Sequence, residues 1–143
     1  MQVTLVPRSQ VFAVWPKVRP HAVKAAEYTF GRFEPEDLLD AASAGQFDMW
    51  VVFEGQEAFG VVFTGITQYP RKRCLDMTFI GGDEGMSWKD IMLDTLQRWA
   101  RDNGCDSIES SGRAGWAKIF KGDGYKMLWQ VYELPVAQQE LGA

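Results

Sequence analysis

Cysteine is scarce. Cys74 and Cys105 are the only two in 143 residues, and they do not form a CxxC pair. The sequence therefore makes no case for a zinc site or a dithiol redox motif, and with so little cysteine and no recognisable signal peptide a cytoplasmic setting is expected. Histidine is scarcer still, with His21 standing alone. A Ser–His–Asp or Cys–His system would have to be built on it. It lies in a proline-broken stretch with no supporting motif, so a surface position is expected, and Cys74 lacks a base to activate it. Long apolar runs are missing, none approaching the roughly 20 residues of a membrane span. A basic face is missing too. The net charge is -4 and the pI about 5.0, with Arg71-Lys72-Arg73 the one dense basic cluster and Lys17, Arg19 and Lys24 a looser scatter. Neither membrane nor nucleic acid is an expected partner.

Aromatic residues, by contrast, are plentiful: nine Phe and six Trp within a 46% hydrophobic composition. That is ample for one core in a chain close to the modal domain size. A single domain over residues 1–136 is expected, with 137–143 as a flexible tail. Trp88, Trp99, Trp116 and Trp129 are assigned to the core.

Hydrophobic periodicity sets out the elements. Met1 to Val6 alternates as a strand. Val11 to Trp15 reads as a short helix broken by Pro16 and Pro20, with a second piece from His21 to Thr29. Glu34-Pro35-Glu36-Asp37 opens a helix that Gly45 closes. Phe47–Glu54, Ala58–Tyr69 and Arg73–Ile80 read as an antiparallel meander with turns at Gly55-Gln56 and Pro70–Lys72. Trp88 to Asn103 carries the apolar stripe Ile91, Met92, Leu96 and Trp99 of a long helix. Asp106–Ser110 is a short strand, Arg113–Lys121 a short helix and Tyr125–Leu134 a final strand. This order predicts an α/β fold: a mixed, mainly antiparallel sheet with helices on both faces.

The segment from Asp76 to Trp88 is the most informative. An apolar strand runs into Gly81-Gly82-Asp83-Glu84-Gly85-Met86-Ser87 and then into the long helix. Glycines at such a turn let backbone N–H groups converge on the helix N-terminus, which carries roughly half a positive charge and suits a phosphate. Asp83 and Glu84 oppose this: at about 4 Å and an effective dielectric near 20, one like-charge pair costs roughly 4 kcal/mol, and less for side chains turned to water.

The element order and this turn resemble the GNAT superfamily of acetyl-CoA-dependent N-acetyltransferases, over most of the chain and most strongly from Arg73 to Tyr125. Gly112-Arg113-Ala114-Gly115-Trp116-Ala117 through Gly124-Tyr125 resembles the small GNAT-like proteins of tailed phages and prophages, some associated with virion assembly or DNA ejection. The superfamily resemblance implies an acetyl-CoA site at Phe79, Ile80, Gly81, Gly82, Gly85, Met86, Ser87, Arg113 and Phe120; with no His/Cys cluster in the sequence, no metal is expected. Gly85 and Ser87 match the pyrophosphate-binding turn; Gly82 stands where the family has Gln or Arg. Phe120 occupies the position of the Tyr that protonates the leaving thiolate in many members, and Phe has no proton to give.

Asp76, Glu109 and Ser110 are the candidate catalytic residues. Asp76, placed on one strand face with Cys74 and Thr78, is read as a general base or as a polar residue on a wet face. Glu109 and Ser110 are read as a base and a pantetheine or water ligand, or as a strand-end polar pair. Arg113 binds a phosphate or a substrate carboxylate, or pairs with Glu109 or Asp106. Two functions are expected from these readings. One is acetyl transfer to a small-molecule or protein amine by direct attack on the thioester. The other is an inactive GNAT-fold accessory protein whose partners lie in a phage particle. A homodimer through the late strands goes with the family resemblance.

Overall fold

A computed structural model of the chain describes residues 1–83, 87–111, 122 and 124–137. Met1–Ser111 form one compact unit, and the chain from Gly112 onward forms a second.

The first unit is built on a five-stranded sheet in the order β1-β2-β3-β4-β5, with β1 Gln2–Leu5, β2 Asp48–Glu54, β3 Glu57–Tyr69, β4 Lys72–Gly82 and β5 Ser107–Ser110. The first three junctions are antiparallel and β4–β5 is parallel. Parallel neighbours need a crossover. It is supplied by α3, Lys89–Asp102. The expected meander and crossover are thus in place, and the fold is α/β with a mixed sheet.

Helix α1 departs from expectation. It runs unbroken from Val11 to Glu27 through both Pro16 and Pro20. Each proline removes one helical hydrogen bond. Both sit on the exposed side, where water can satisfy the released carbonyls, while Val11, Trp15, Val18, Ala22 and Ala25 are buried on the opposite side. Burial of that stripe outweighs two solvated breaks. Helix α2, Pro35–Ser43, begins with the expected proline and acids, and Glu34 and Asp37 form a reciprocal capping box.

α1 and α3 lie on opposite faces of the sheet, and two consecutive glycines record it. A Cβ on Gly81 would meet the His21 carbonyl of α1, whereas one on Gly82 would meet the Trp88 ring at the start of α3. The main core lies on the α1 side. Phe79 anchors it, with edge-on contacts to Phe33, Phe47 and Phe63 at 4.8, 5.5 and 6.3 Å. On the α3 side Trp50 meets Trp99 edge-on at 6.0 Å and donates its Nε1–H to the Thr64 hydroxyl at 2.9 Å.

The predicted last strand is not formed: Tyr125–Ala137 carries no regular secondary structure. Trp129, assigned to the core from sequence, is 60% exposed, and Leu128, Val131, Tyr132 and Leu134 are exposed with it. Alternation specifies which side chains a strand would bury, but a strand also needs a hydrogen-bonding neighbour. The predicted helix Arg113–Lys121, with Trp116, lies outside the described residues, as does most of the predicted tail. No described helix is long and apolar enough to cross a membrane.

Candidate active site

The polar chemistry gathers on the α1-side face of β3, β4 and β5, away from the aromatic core. Pairing between β4 and β5 sets Cys74 beside Ser107, Leu75 beside Ile108, Asp76 beside Glu109 and Met77 beside Ser110, and there it stops. Among the described residues, β4 continues to Gly82 with β3 alone as partner. Pairing of the two parallel strands, among the described residues, thus ends at a fork one rung past the acids. Asp76, Glu109 and Ser110, selected from sequence, are brought together at this fork.

Asp76 and Glu109 share one face while Ser110, paired with Met77, points to the other; which side the acids take depends on a register shift. Phe63 pairs with Phe79 and Thr64 with Met77, so Thr78 is skipped. Asp76 pairs with Gly65, where an added Cβ would lie 3.5 Å from the Phe47 ring. Leu75, pointing the other way, shares a cavity with Trp99 of α3. The expected grouping of Asp76 with Cys74 holds. Thr78, although skipped in the pairing, stays beside Asp76: its hydroxyl hydrogen-bonds the Asp76 carboxyl, which works against the upward shift of that group, and lies 3.4 Å from the Asp76 carbonyl oxygen.

Around the acids the partners are specific. Tyr69 donates its hydroxyl to Glu109 Oε2 at 2.9 Å, and Cys74 Sγ lies 3.2 Å from Ser107 Oγ. Burial, then the neighbouring Glu109 charge, pushes the Asp76 carboxyl above the ordinary carboxylate range. The hydrogen bond to Glu109 does most to push the Tyr69 phenol up as well. Sequence reasoning missed Tyr69. Its signal was strand parity, since it lies four residues beyond Gly65 on the same face of β3.

The other end of β4 holds the glycine turn. Gly81 is demanded by α1: an added Cβ would be 1.9 Å from the His21 carbonyl oxygen. Gly82 and its partner Gly60 lie under the Trp88 indole, where added Cβ atoms would come within 2.4 and 2.7 Å of ring atoms. Helix packing thus accounts for both glycines. Trp88 is 2% exposed and lies over β3 and β4 on the α3 side. The Phe79 side chain is buried in the core, leaving its backbone as the part open to a ligand role, while Ile80 is half-buried and Ser87 exposed. Gly85, Met86, Arg113 and Phe120 lie outside the described residues.

His21 overturns its surface assignment. It is 7% exposed, on the sheet-facing side of α1. Its Nε2 is 2.9 Å from the Ala58 carbonyl, and its Nδ1 is 3.9 Å from Asp83 Oδ1. Asp83 also donates its backbone N–H to Phe59 at 2.9 Å. Its carboxylate is thus turned toward α1, which weakens the repulsion expected against a phosphate at the turn. Trp88 Nε1 and His21 Nδ1 are buried polar atoms with no hydrogen-bond partner among the described residues.

A strand edge that outruns its neighbour, followed by the N-terminus of α3, fits an extended ligand with an anionic end. Among the described residues no strand pairs with the β5-side edge of β4 beyond Met77, so its backbone groups can meet the ligand's amides, and the helix N-terminus favours its phosphates.

No family model matches this sequence, and no curated protein matches it. Solved structures do match its fold. A probable acetyltransferase superposes with a TM-score of 0.71 at 16% identity, covering 96% of this chain and 100% of the other. A ribosomal-protein-alanine N-acetyltransferase from Brucella melitensis biovar Abortus 2308 gives 0.70 at 12% identity, covering 95% and 100%. A predicted acetyltransferase with acetyl-CoA from Clostridium acetobutylicum gives 0.68 at 12% identity, covering 94% and 95%. Nothing in these likenesses bears on the phage resemblance. The mixed sheet, the parallel β4–β5 pair and the crossover helix are those of the GNAT fold, which this chain carries.

Proposed function

We propose that the protein is an N-acetyltransferase that moves an acetyl group from acetyl-CoA to an amine by direct attack. The observation that carries this reading is the fork between β4 and β5, with Asp76 and Glu109 paired one rung before the last rung, Met77–Ser110. A carboxyl raised toward the working pH is a better proton acceptor than an ordinary one, and Asp76 is raised. In this reading Asp76 takes the proton from the incoming ammonium, and Glu109, held by Tyr69, adds the negative field that draws a cation to the fork. The amine nitrogen bonds to the acetyl carbon, the carbon–sulfur bond breaks with its electron pair going to sulfur, and the departing thiolate takes up the second proton from nitrogen, leaving neutral amide and CoA thiol. The β4 backbone beyond Met77 and the N-terminus of α3 hold the donor.

Calorimetric titration with acetyl-CoA and CoA tests the donor site, followed by an acetylation assay over small amines and peptide N-termini. Micromolar binding, with turnover that Asp76→Asn lowers, supports the proposal. Absence of heat and of a thermal shift at millimolar donor refutes it and favours an accessory role for the fold.

A further inference from the structure

A second cleft lies far along the sheet from the fork, between α1 and the β2–β3 hairpin. Its volume is about 200 Å³. Val6, Val18 and Val51 form its buried floor, and Val14, Phe53 and Ala58 its half-buried walls. It lies beneath the proline-bearing stretch of α1, which contributes Val14, Lys17 and Val18. The mouth is polar. Lys17 Nζ donates to Gln56 Oε1 at the hairpin turn, and Gly55 and Glu57 complete the rim.

We infer that this cleft binds a small aliphatic carboxylate, its hydrocarbon among the valines and Phe53 and its carboxylate on Lys17. Two observations carry this. The size is right for a small apolar guest: an engineered apolar cavity of about 150 Å³ stays dry and binds benzene. The charge is right for an anionic head. Gln56 holds the Lys17 ammonium at the mouth, and Gln56 is a neutral acceptor that a carboxylate outcompetes because it adds a full opposite charge to the hydrogen bond. Glu57, on the same rim, makes the opposite demand for a cation, so the test compares head groups directly. The site is separate from the fork and does not depend on acetyl transfer.

The experiment titrates the full chain calorimetrically with butanoate, hexanoate and octanoate, and with hexan-1-ol and hexylamine as head-group controls. Burying each methylene multiplies affinity by about four-fold, so hexanoate binds roughly 15-fold more tightly than butanoate. Hexanoate binds more tightly than hexan-1-ol. Lys17→Gln, an exposed substitution that leaves the fold intact, cancels that preference. Ala58→Leu, which fills the wall, abolishes binding of both. The inference is overturned if no compound in the series binds at millimolar concentration, if hexylamine binds more tightly than hexanoate, or if Lys17→Gln leaves the hexanoate preference unchanged.

Discussion

Replacing Gly81 with Ala separates two explanations of the glycine turn that the sequence alone leaves joined. If Gly81 serves a phosphate, the variant folds normally and loses the donor. If it serves α1, the variant is destabilised with no ligand present. The added methyl would lie 1.9 Å from the His21 carbonyl oxygen and 3.1 Å from the Ala25 amide nitrogen. Both obstacles are helix backbone, which cannot rotate aside as a side chain can, so α1 has to lift off the sheet. Opening a gap of even 0.5–1 Å forfeits a quarter to a half of each dispersion contact across it, and Val18, Ala22 and Ala25 all make such contacts from that helix. Overpacking of this kind costs about 1–3 kcal/mol, and a backbone obstacle puts it near 3. Thermal unfolding should fall by roughly 10 °C, and the urea midpoint by about 1–2 M. Gly55→Ala is the control. Gly55 has φ +58 with open space around it, so that variant carries only the left-handed backbone penalty of about 1–2 kcal/mol. A Gly81→Ala protein melting within about 2 °C of the parent refutes the packing argument.

Asp76→Asn should lower acetyl transfer by about 10²–10⁴-fold and change the pH dependence of stability. The folded-state pKa of Asp76 is raised, so the native state binds its proton more tightly than the unfolded chain does. Ionising Asp76 therefore destabilises the fold as pH rises from the ordinary carboxylate range through the raised value. The Asn variant should lose that decline, which melting curves at pH steps above about 4 would reveal; an unchanged profile counts against a buried Asp76. Tyr69→Phe should leave the melting temperature nearly unmoved and reduce turnover several-fold by releasing Glu109, and unaltered kinetics would remove Tyr69 from the site. Trp50→Phe should cost about 1–3 kcal/mol, because the buried Thr64 hydroxyl loses its donor; chemical denaturation measures it.

The parts of the fold that periodicity governs were legible. The meander, α3 and the parallel β5 follow from alternation and from the 3.6-residue stripe of Met92 and Leu96, with errors of one or two residues at the ends. Pro16 and Pro20 misled because their cost depends on which side of the helix they occupy, and that is set by tertiary burial. His21 misled for the same reason, since a lone histidine carries no periodic signal of its own. Leu128 to Leu134 alternates well, yet alternation does not create a partner strand. At the site, Asp76 and Glu109 were legible as polar residues on adjacent strands. Tyr69 was not, because its role rests on a register that only pairing defines.

Thr78 gives β4 something like a reading frame. On its C-terminal side the odd-numbered positions, Phe79 and Gly81, face α1. On its N-terminal side the even-numbered ones, Cys74 and Asp76, do so. One unpaired residue thus joins an apolar half-strand and an acidic half-strand on a single surface. Deleting it would keep every chemical group in the chain yet set the two halves out of phase. Either Asp76 would turn toward Trp99, or Phe79 would leave its aromatic neighbours. The acid at the fork and the aromatic core are compatible in one strand only because of that single-residue offset, so a one-residue deletion here should be far more damaging than any substitution of Thr78 itself.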